Sequence, residues 1–211
     1  ADVAERVNST ALAILARVAR RYSARLIHIS TDYVFGGSRF DAPIDEMAEP
    51  APLGVYGRTK LMGERAIKES GCDYVIIRTS WLYSTYGKNF VKTILRLASE
   101  REELRVVNDQ IGSPTYAKDL ASVIVQICEH KAFKSGIYHY SNRGEISWCD
   151  FARAIVEISG AKCRVEPCTT AEYGAKAPRP AYSVLNTAKI SDSLGCEIPE
   201  WRESLKECIK K

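Results

Sequence analysis

The chain predicts an α/β fold: a doubly wound parallel sheet followed by a small C-terminal α/β lobe. Three observations carry this. Helical patterns and short apolar runs alternate up to about residue 142, an order in which each crossover must cover the sheet it connects. The runs "RLIHIS", "DYVIIRTS" and "GIYHYS" are near-continuous in apolar residues, as in strands buried on both faces. Beyond residue 142 the texture shifts to helices broken by proline-marked extended segments.

Taken in order, residues 2–22 carry Val3, Val7, Ala11, Leu15 and Val18 at helical spacing. Residues 25–30 read as a buried strand. A polar loop holding Gly36, Gly37, Pro43, Pro50 and Pro52 follows. A helix then runs from Tyr56 to Ser70 and stops at Gly71. Residues 73–80 form a second buried strand, 88–100 a helix, 104–107 a short strand, 117–130 an amphipathic helix and 136–141 a strand. Thr31, Ser80 and Ser141 fall just past strand ends, where parallel sheets bind ligands. In the tail, "SWCDFARAIVEISG" is a helix with Ser147 as N-cap and Gly160 as stop. "CRVEPCTT" holds a short strand, "APRPAYSVLNTAKI" is extended, and Pro199 leads into a last helix. The expected division is a sheet domain over 1–142 and a substrate-side lobe over 143–211.

Composition narrows the function classes. The 211 residues are 45% hydrophobic and 27% charged, an ordinary globular balance. No run approaches the ~20 apolar residues of a membrane span, and the charged N-terminus does not resemble a signal peptide. The net charge is +4, with Lys and Arg interleaved among acids; nucleic-acid binding needs a concentrated basic face. Seven Cys without a CxxC pair argue against a zinc site or disulfide framework. They fit reduced, buried thiols in a cytoplasmic protein.

The chemistry gathers at Thr31, Tyr56 and Lys60. Tyr56 and Lys60 are four apart at the start of a helix and share a face. A phenol with pKa near ~10 is a poor acid-base group at neutral pH, and a neighbouring ammonium lowers that value. Such a pair can give a proton to a carbonyl oxygen as hydride reaches its carbon. Thr31, at the adjacent strand end, can hold the same oxygen. The spacing alone is weak, since it recurs by chance on helix surfaces. Lys60 and Glu64 read as a helix-surface pair, and His28, inside a strand, as structural. His130 and His139 lack partners at metal-ligand spacing. Asp119 reads as a local cap or pair, and Trp148 and Trp201 as lobe packing.

Together the segments are specific. "ISTDYVFGG", "YGRTKLMGE", "IIRTSWLYSTYGKNFV", "DQIGSPTYAKDLA", "ISWCDFARAI", "RPAYSVLNTAKI" and "WRESLKECI" occur in order from about residue 25 to the end. The chain resembles the extended short-chain dehydrogenase/reductases, and within them the dTDP-4-dehydrorhamnose reductase family. The resemblance implies a Rossmann-like sheet. It also implies NADPH- or NADH-dependent reduction of the 4-keto group of dTDP-4-dehydro-6-deoxy-L-mannose to dTDP-L-rhamnose. Tyr56 would be the general acid, and Lys60 would bind the nicotinamide ribose and lower the Tyr56 pKa. Thr31 and Asp32 would meet the sugar nucleotide, and Trp81 would pack on it. Arg179 is read from its own chemistry, as a candidate phosphate contact through its fork or equally as a surface arginine. A homodimer and Mg²⁺ are implied by the family, although no metal cluster is visible in the sequence.

Family members carry a G-x-x-G-x-x-G turn after the first strand, where glycine backbone and a helix N-terminus take the pyrophosphate. None of the 13 glycines here forms that pattern after a strand. The expectation is an N-terminally truncated sheet, with roughly 60 residues upstream at ~30 per βαβ unit. The chain alone is expected to fold poorly and to leave the dinucleotide unbound. The choice between NADPH and NADH then lies outside the sequence. Among rivals, a 4,6-dehydratase needs a Glu after the Asp, and Tyr33 stands there. An epimerase matches "STDYVF" and "TSW" less well. A non-catalytic relative using the fold as a regulatory binding subunit is the alternative outside the enzymes.

Overall fold

The computed structural model describes residues 2–174 and 179–210. The chain opens with a short helix, α1 (Asp2–Glu5), a π-helical stretch Arg6–Thr10, and α2 (Ala11–Arg21). Strand β1 (Arg25–Thr31) ends in a 3₁₀ turn Asp32–Phe35, and after a long loop comes α3 (Val55–Ser70). Strands β2 (Asp73–Thr79) and β3 (Leu82–Tyr83) lead to α4 (Phe90–Glu100), then β4 (Glu103–Val107), β5 (Ile111–Gly112) and β6 (Thr115–Tyr116). Helix α5 (Ala117–Glu129), β7 (Gly136–His139), β8 (Ile146–Ser147) and α6 (Trp148–Ser159) follow. The tail holds β9 (Arg164–Cys168), α7 (Thr170–Tyr173), α8 (Ala188–Leu194) and α9 (Trp201–Ile209).

The main sheet has the order β1-β2-β7, all parallel. Its two faces are visible in the alternation of β2. Ile76 packs with Leu12, Ala16 and Ala19 of α2 and Ile67 of α3. Its neighbours Val75 and Ile77 point the other way, onto Leu120, Val123 and Ile127 of α5 and Ile190 of α8. This is the doubly wound arrangement, because a parallel strand must bury both of its faces. Both faces put their loops at the C-terminal strand ends, where Thr31 and Thr79 stand side by side.

Several expectations change. The 104–107 strand does not join the main sheet. As β4 it pairs in parallel with β9, and Leu104 and Val106 bury into a second cluster with α4 and α6. Alternation of helix and strand cannot say which strands share a sheet. Buried residues from both sides of residue 142 share clusters. Tyr83, Val91, Ile94 and Tyr116 pack with Phe151, Ile155 and Leu205, while Ile190 and Ile198 pack back against the sheet. The extended segment after Pro180 lies along older parts of the chain, with bridges Ile111 to Tyr182 and Ile44 to Leu185. It then forms α8, which the proline-marked texture concealed; residues 175–178 of that segment lie outside the described residues.

The first helical stretch buries an unexpected face. Leu12, Ala16 and Ala19 are buried, whereas Val3, Val7, Leu15 and Val18, which mark the helix in the sequence, are 49–65% exposed. Small side chains let α2 lie close to α3 and the sheet, so the bulkier stripe is left outside. Along β1 the residues before Ser30 are only half-buried, and β2 is its one strand partner among the described residues. Cys72, Cys149, Cys163, Cys168 and Cys208 are buried, as expected of thiols that pack as small hydrophobes. No helix among the described residues is long and apolar enough to cross a membrane.

Candidate active site

The site is built on the turn after β1. Thr31 caps it, its hydroxyl accepting from the Tyr33 amide at 3.2 Å and donating to Asp32 Oδ1 at 3.1 Å. The turn drives Asp32 inward, where it is 3% exposed, and its Oδ2 has no hydrogen-bond partner among the described residues. Burial raises the Asp32 pKa to about 7, against the opposing pull of the Thr31 hydroxyl, nearby Ser183 and backbone N–H groups. A carboxyl in that state can donate or accept a hydrogen bond near neutral pH.

Tyr56 comes to this turn from the first turn of α3. Its ring meets the Tyr33 ring edge-on, with centroids 5.7 Å apart at 76°. The approach depends on Gly57, because a Cβ there would lie 2.4 Å from the Tyr33 carbonyl oxygen. Tyr56 is half-exposed. Burial pushes its phenol up, the Thr31 hydroxyl opposes this by favouring the ionised form, and the Asp32 charge adds to the rise. The expected lowering by Lys60 is therefore corrected. The Lys60 ammonium is committed elsewhere, donating to the Ile29 carbonyl at 2.6 Å and meeting His28 Nε2 at 3.1 Å. Burial lowers the Lys60 pKa while Glu64 opposes the fall. His28 is pushed down to about 4 by burial and then by the Lys60 charge, so its neutral ring accepts from the ammonium.

The opposite wall comes from β2 and the second core. Trp81, just past the β2 end, adopts φ +47, a left-handed conformation a bulky residue rarely takes. It stacks flat on Trp148 at 3.6 Å and 9°. A cavity of about 140 Å³ lies between these indoles and Asp32, Tyr33, Gln110, Arg179, Pro180 and Ser183. Arg179 is exposed at its rim, near enough for its charge to favour the Tyr33 phenolate. Through Trp148 and Arg179 this cavity adjoins one of about 300 Å³, lined by Phe90, Ile94, Leu97, Arg101, Arg105 and Val106 among others. The larger cleft of about 390 Å³ elsewhere on α3 touches none of the predicted site residues.

Thr31, Asp32 and Tyr56 thus meet in one place, Trp81 and Arg179 face Asp32 across a cavity, and Lys60 is turned toward β1. The residues the sequence left out are Trp148, which backs Trp81, and Glu64. Glu64 is not a surface partner of Lys60 but 1% exposed and paired with Arg78. An Arg inside the apolar run "VIIRT" was the available signal, because a buried charge requires a partner. Among the described residues, no group of three or more His, Cys, Asp or Glu is placed to hold a metal ion.

A family model described as RmlD substrate binding domain matches residues 1–211. The chain is similar to the spore coat polysaccharide biosynthesis protein SpsK of Bacillus subtilis (strain 168), 45% identical over 215 residues, covering 100% of this chain and 72% of that protein. It is 39% identical over 219 residues to the dTDP-4-dehydrorhamnose reductase of Burkholderia thailandensis, covering 97% of this chain and 73% of that one. Among solved structures, the dTDP-4-dehydrorhamnose reductase of Bacillus anthracis str. Ames in complex with NADP superimposes with a TM-score of 0.90 at 42% identity. That match covers 96% of this chain and 71% of that one.

Proposed function

The chain belongs to the RmlD substrate binding domain family, and from that premise we propose that it serves an NAD(P)H-dependent reductase. The reaction is reduction of the 4-keto group of dTDP-4-dehydro-6-deoxy-L-mannose to dTDP-L-rhamnose. Relatives named for this reductase activity and one solved with NADP support the reading. The observation that carries it is the meeting of Tyr56 with the Thr31–Asp32 turn, whose Asp32 lines a cavity walled by Trp81 and Arg179.

The dinucleotide, when bound, supplies hydride to C4 of the sugar. Tyr56 gives its phenolic proton to the C4 oxygen. Its raised pKa keeps the phenol protonated at neutral pH, the form a donor must start from. Thr31 holds that oxygen beside Tyr56. The orphaned Oδ2 of Asp32 takes a sugar hydroxyl, and the Trp81 indole packs on the sugar ring. Arg179, with Arg101 and Arg105 across the adjoining cavity, meets the diphosphate through charge-assisted hydrogen bonds. Lys60, whose buried ammonium donates to Ile29 in this structure, would hold the nicotinamide ribose. Among the described residues no glycine-rich turn stands at a strand end to take the pyrophosphate. No residue is assigned to Mg²⁺, and the homodimer that the resemblance implies and the cytoplasmic location that the buried thiols suggest are part of the same reading.

The test is loss of NADPH absorbance when the full gene product receives the 4-keto sugar nucleotide. Tyr56→Phe, which removes the proton donor, is expected to slow turnover by at least ~10²-fold. Full activity in that variant would remove Tyr56 from the mechanism. Tight binding of the sugar nucleotide without turnover in the unmutated protein would leave a binding module.

A further inference from the structure

Glu64 is a buried acid that the proton transfer above leaves unused. Arg78 grips it with Nε 3.0 Å from Oε1 and Nη2 2.7 Å from Oε2, and Ser30 donates to Oε1 at 2.5 Å. Both members of the pair are almost fully buried, at 1% and 2% exposure. The clamp ties three elements together: Ser30 from β1, Arg78 from β2 and Glu64 from α3. The Arg78 guanidinium also lies over the Phe35 ring at 4.9 Å, so the turn that carries Asp32 touches the same network.

A buried ion pair is weak evidence for stability, because apolar residues of like volume fill such a space as well. A further use for the charge is therefore worth seeking, and Lys60 supplies one. It lies one helical turn before Glu64, on the same face, and is itself only 8% exposed. Several groups surround Lys60. From β1 come neutral His28 and the Ile29 carbonyl, and from its own helix Tyr56 and Glu64. Arg78 faces Glu64 from β2, and His139 of β7 feels the Arg78 charge. Of these groups Glu64 carries a negative charge, and it opposes the loss of the Lys60 proton that burial promotes.

We propose that Glu64 is a positioning residue for Lys60: clamped by Arg78 and Ser30, its carboxylate fixes where α3 sits on the sheet and faces the Lys60 ammonium with the compensating charge. The proposal rests on the reading that Lys60 serves the reaction, but its test does not need turnover. The readout is titration of the Lys60 Nζ by nitrogen-15 NMR, with unfolding midpoints measured alongside. Glu64→Gln is expected to lower the pH at which Lys60 loses its proton by about one unit, a tenfold change in its equilibrium. Glu64→Asp, which keeps the charge, is expected to titrate close to the wild type. The Gln variant leaves Arg78 unpaired in the core and endangers folding. The double variant Glu64→Gln/Arg78→Met removes that charge too and should still shift Lys60 downward. Lys60 titrating at the wild-type pH in a folded Gln or double variant would overturn the proposal and reduce the pair to packing. If the unmutated protein shows no turnover, the reductase reading fails while the Lys60 shift still decides the role of Glu64.

Discussion

At Asp32, burial sets a balance that pH can tip. Its folded pKa of about 7 lies above the unfolded value of about 3.9, so the unfolded chain releases the proton first as pH rises. The contribution to stability is whole below about pH 4 and is lost as pH climbs through about 7. His28 and His139 run the opposite way. Burial depresses them to about 4 and about 3, so their contribution is present above about 6.5 and lost as pH falls through those values. Relative to the wild type, Asp32→Asn is therefore expected to gain stability progressively as pH rises from about 4 to about 7, read from urea unfolding, with the histidine contributions left in place. A stability difference between the two proteins that stays constant over that range would mean that Asp32 is solvated in the folded state. At this scale the sequence was informative where chemistry is local. A hydroxyl at a strand end and Tyr-Lys at one helical turn singled out Thr31, Tyr56 and Lys60 as candidates, and the structure brings Thr31 and Tyr56 together. It misled at Glu64, because the same four-residue spacing describes a surface pair and a buried one. It misled again on the direction of the Tyr56 pKa, because where a flexible lysine points depends on the acceptors around it.

Among the elements, α3 does the most to assemble the site, and its approach to the Tyr33 turn depends on one missing methyl. Gly57→Ala would bring Cβ against a backbone oxygen at 2.4 Å, and backbone cannot swing aside as a side-chain tip can. The expected cost is about 1–3 kcal/mol, seen as a lower unfolding midpoint. Activity should fall further than stability alone explains, because Tyr56 moves with the helix. Unchanged stability and activity would show that the turn gives way freely. Element boundaries were legible where caps are local. Ser147 and Asp150 form a full capping box at the head of α6, and Gly160 ends it at φ 72, as the residues alone predict. Pairing was less legible. Nothing within "LRVV" distinguishes a strand of the main sheet from one bound for β9 sixty residues on, since that choice is made by the helices covering it. The short strands β3, β5, β6 and β8, two residues each, are too brief for any period to appear.

For the molecule as a whole, the apolar stripe Val3, Val7, Ile14, Leu15 and Val18 stands 49–65% exposed, near a β1 whose outer edge has no strand partner among the described residues. Contiguous apolar surface and an open strand edge both favour association. The 211-residue chain is expected to associate as concentration rises in light scattering, and Leu15→Glu with Val18→Lys to delay it. Association unaffected by those changes would point to another surface. The fold class was readable because parallel strands must be apolar on both faces. The meeting of the two cores was not, because residues from either side of position 142 share one cluster. That sharing has an optical consequence. Trp81 follows a strand of the main sheet, Trp148 opens a helix of the second core, and their indoles lie parallel at 3.6 Å. Transition dipoles that close couple as excitons, so the folded protein should show a split circular-dichroism band that neither tryptophan gives alone. A ligand entering the cavity they line would alter the split, and the protein would announce occupancy of its own site without a label.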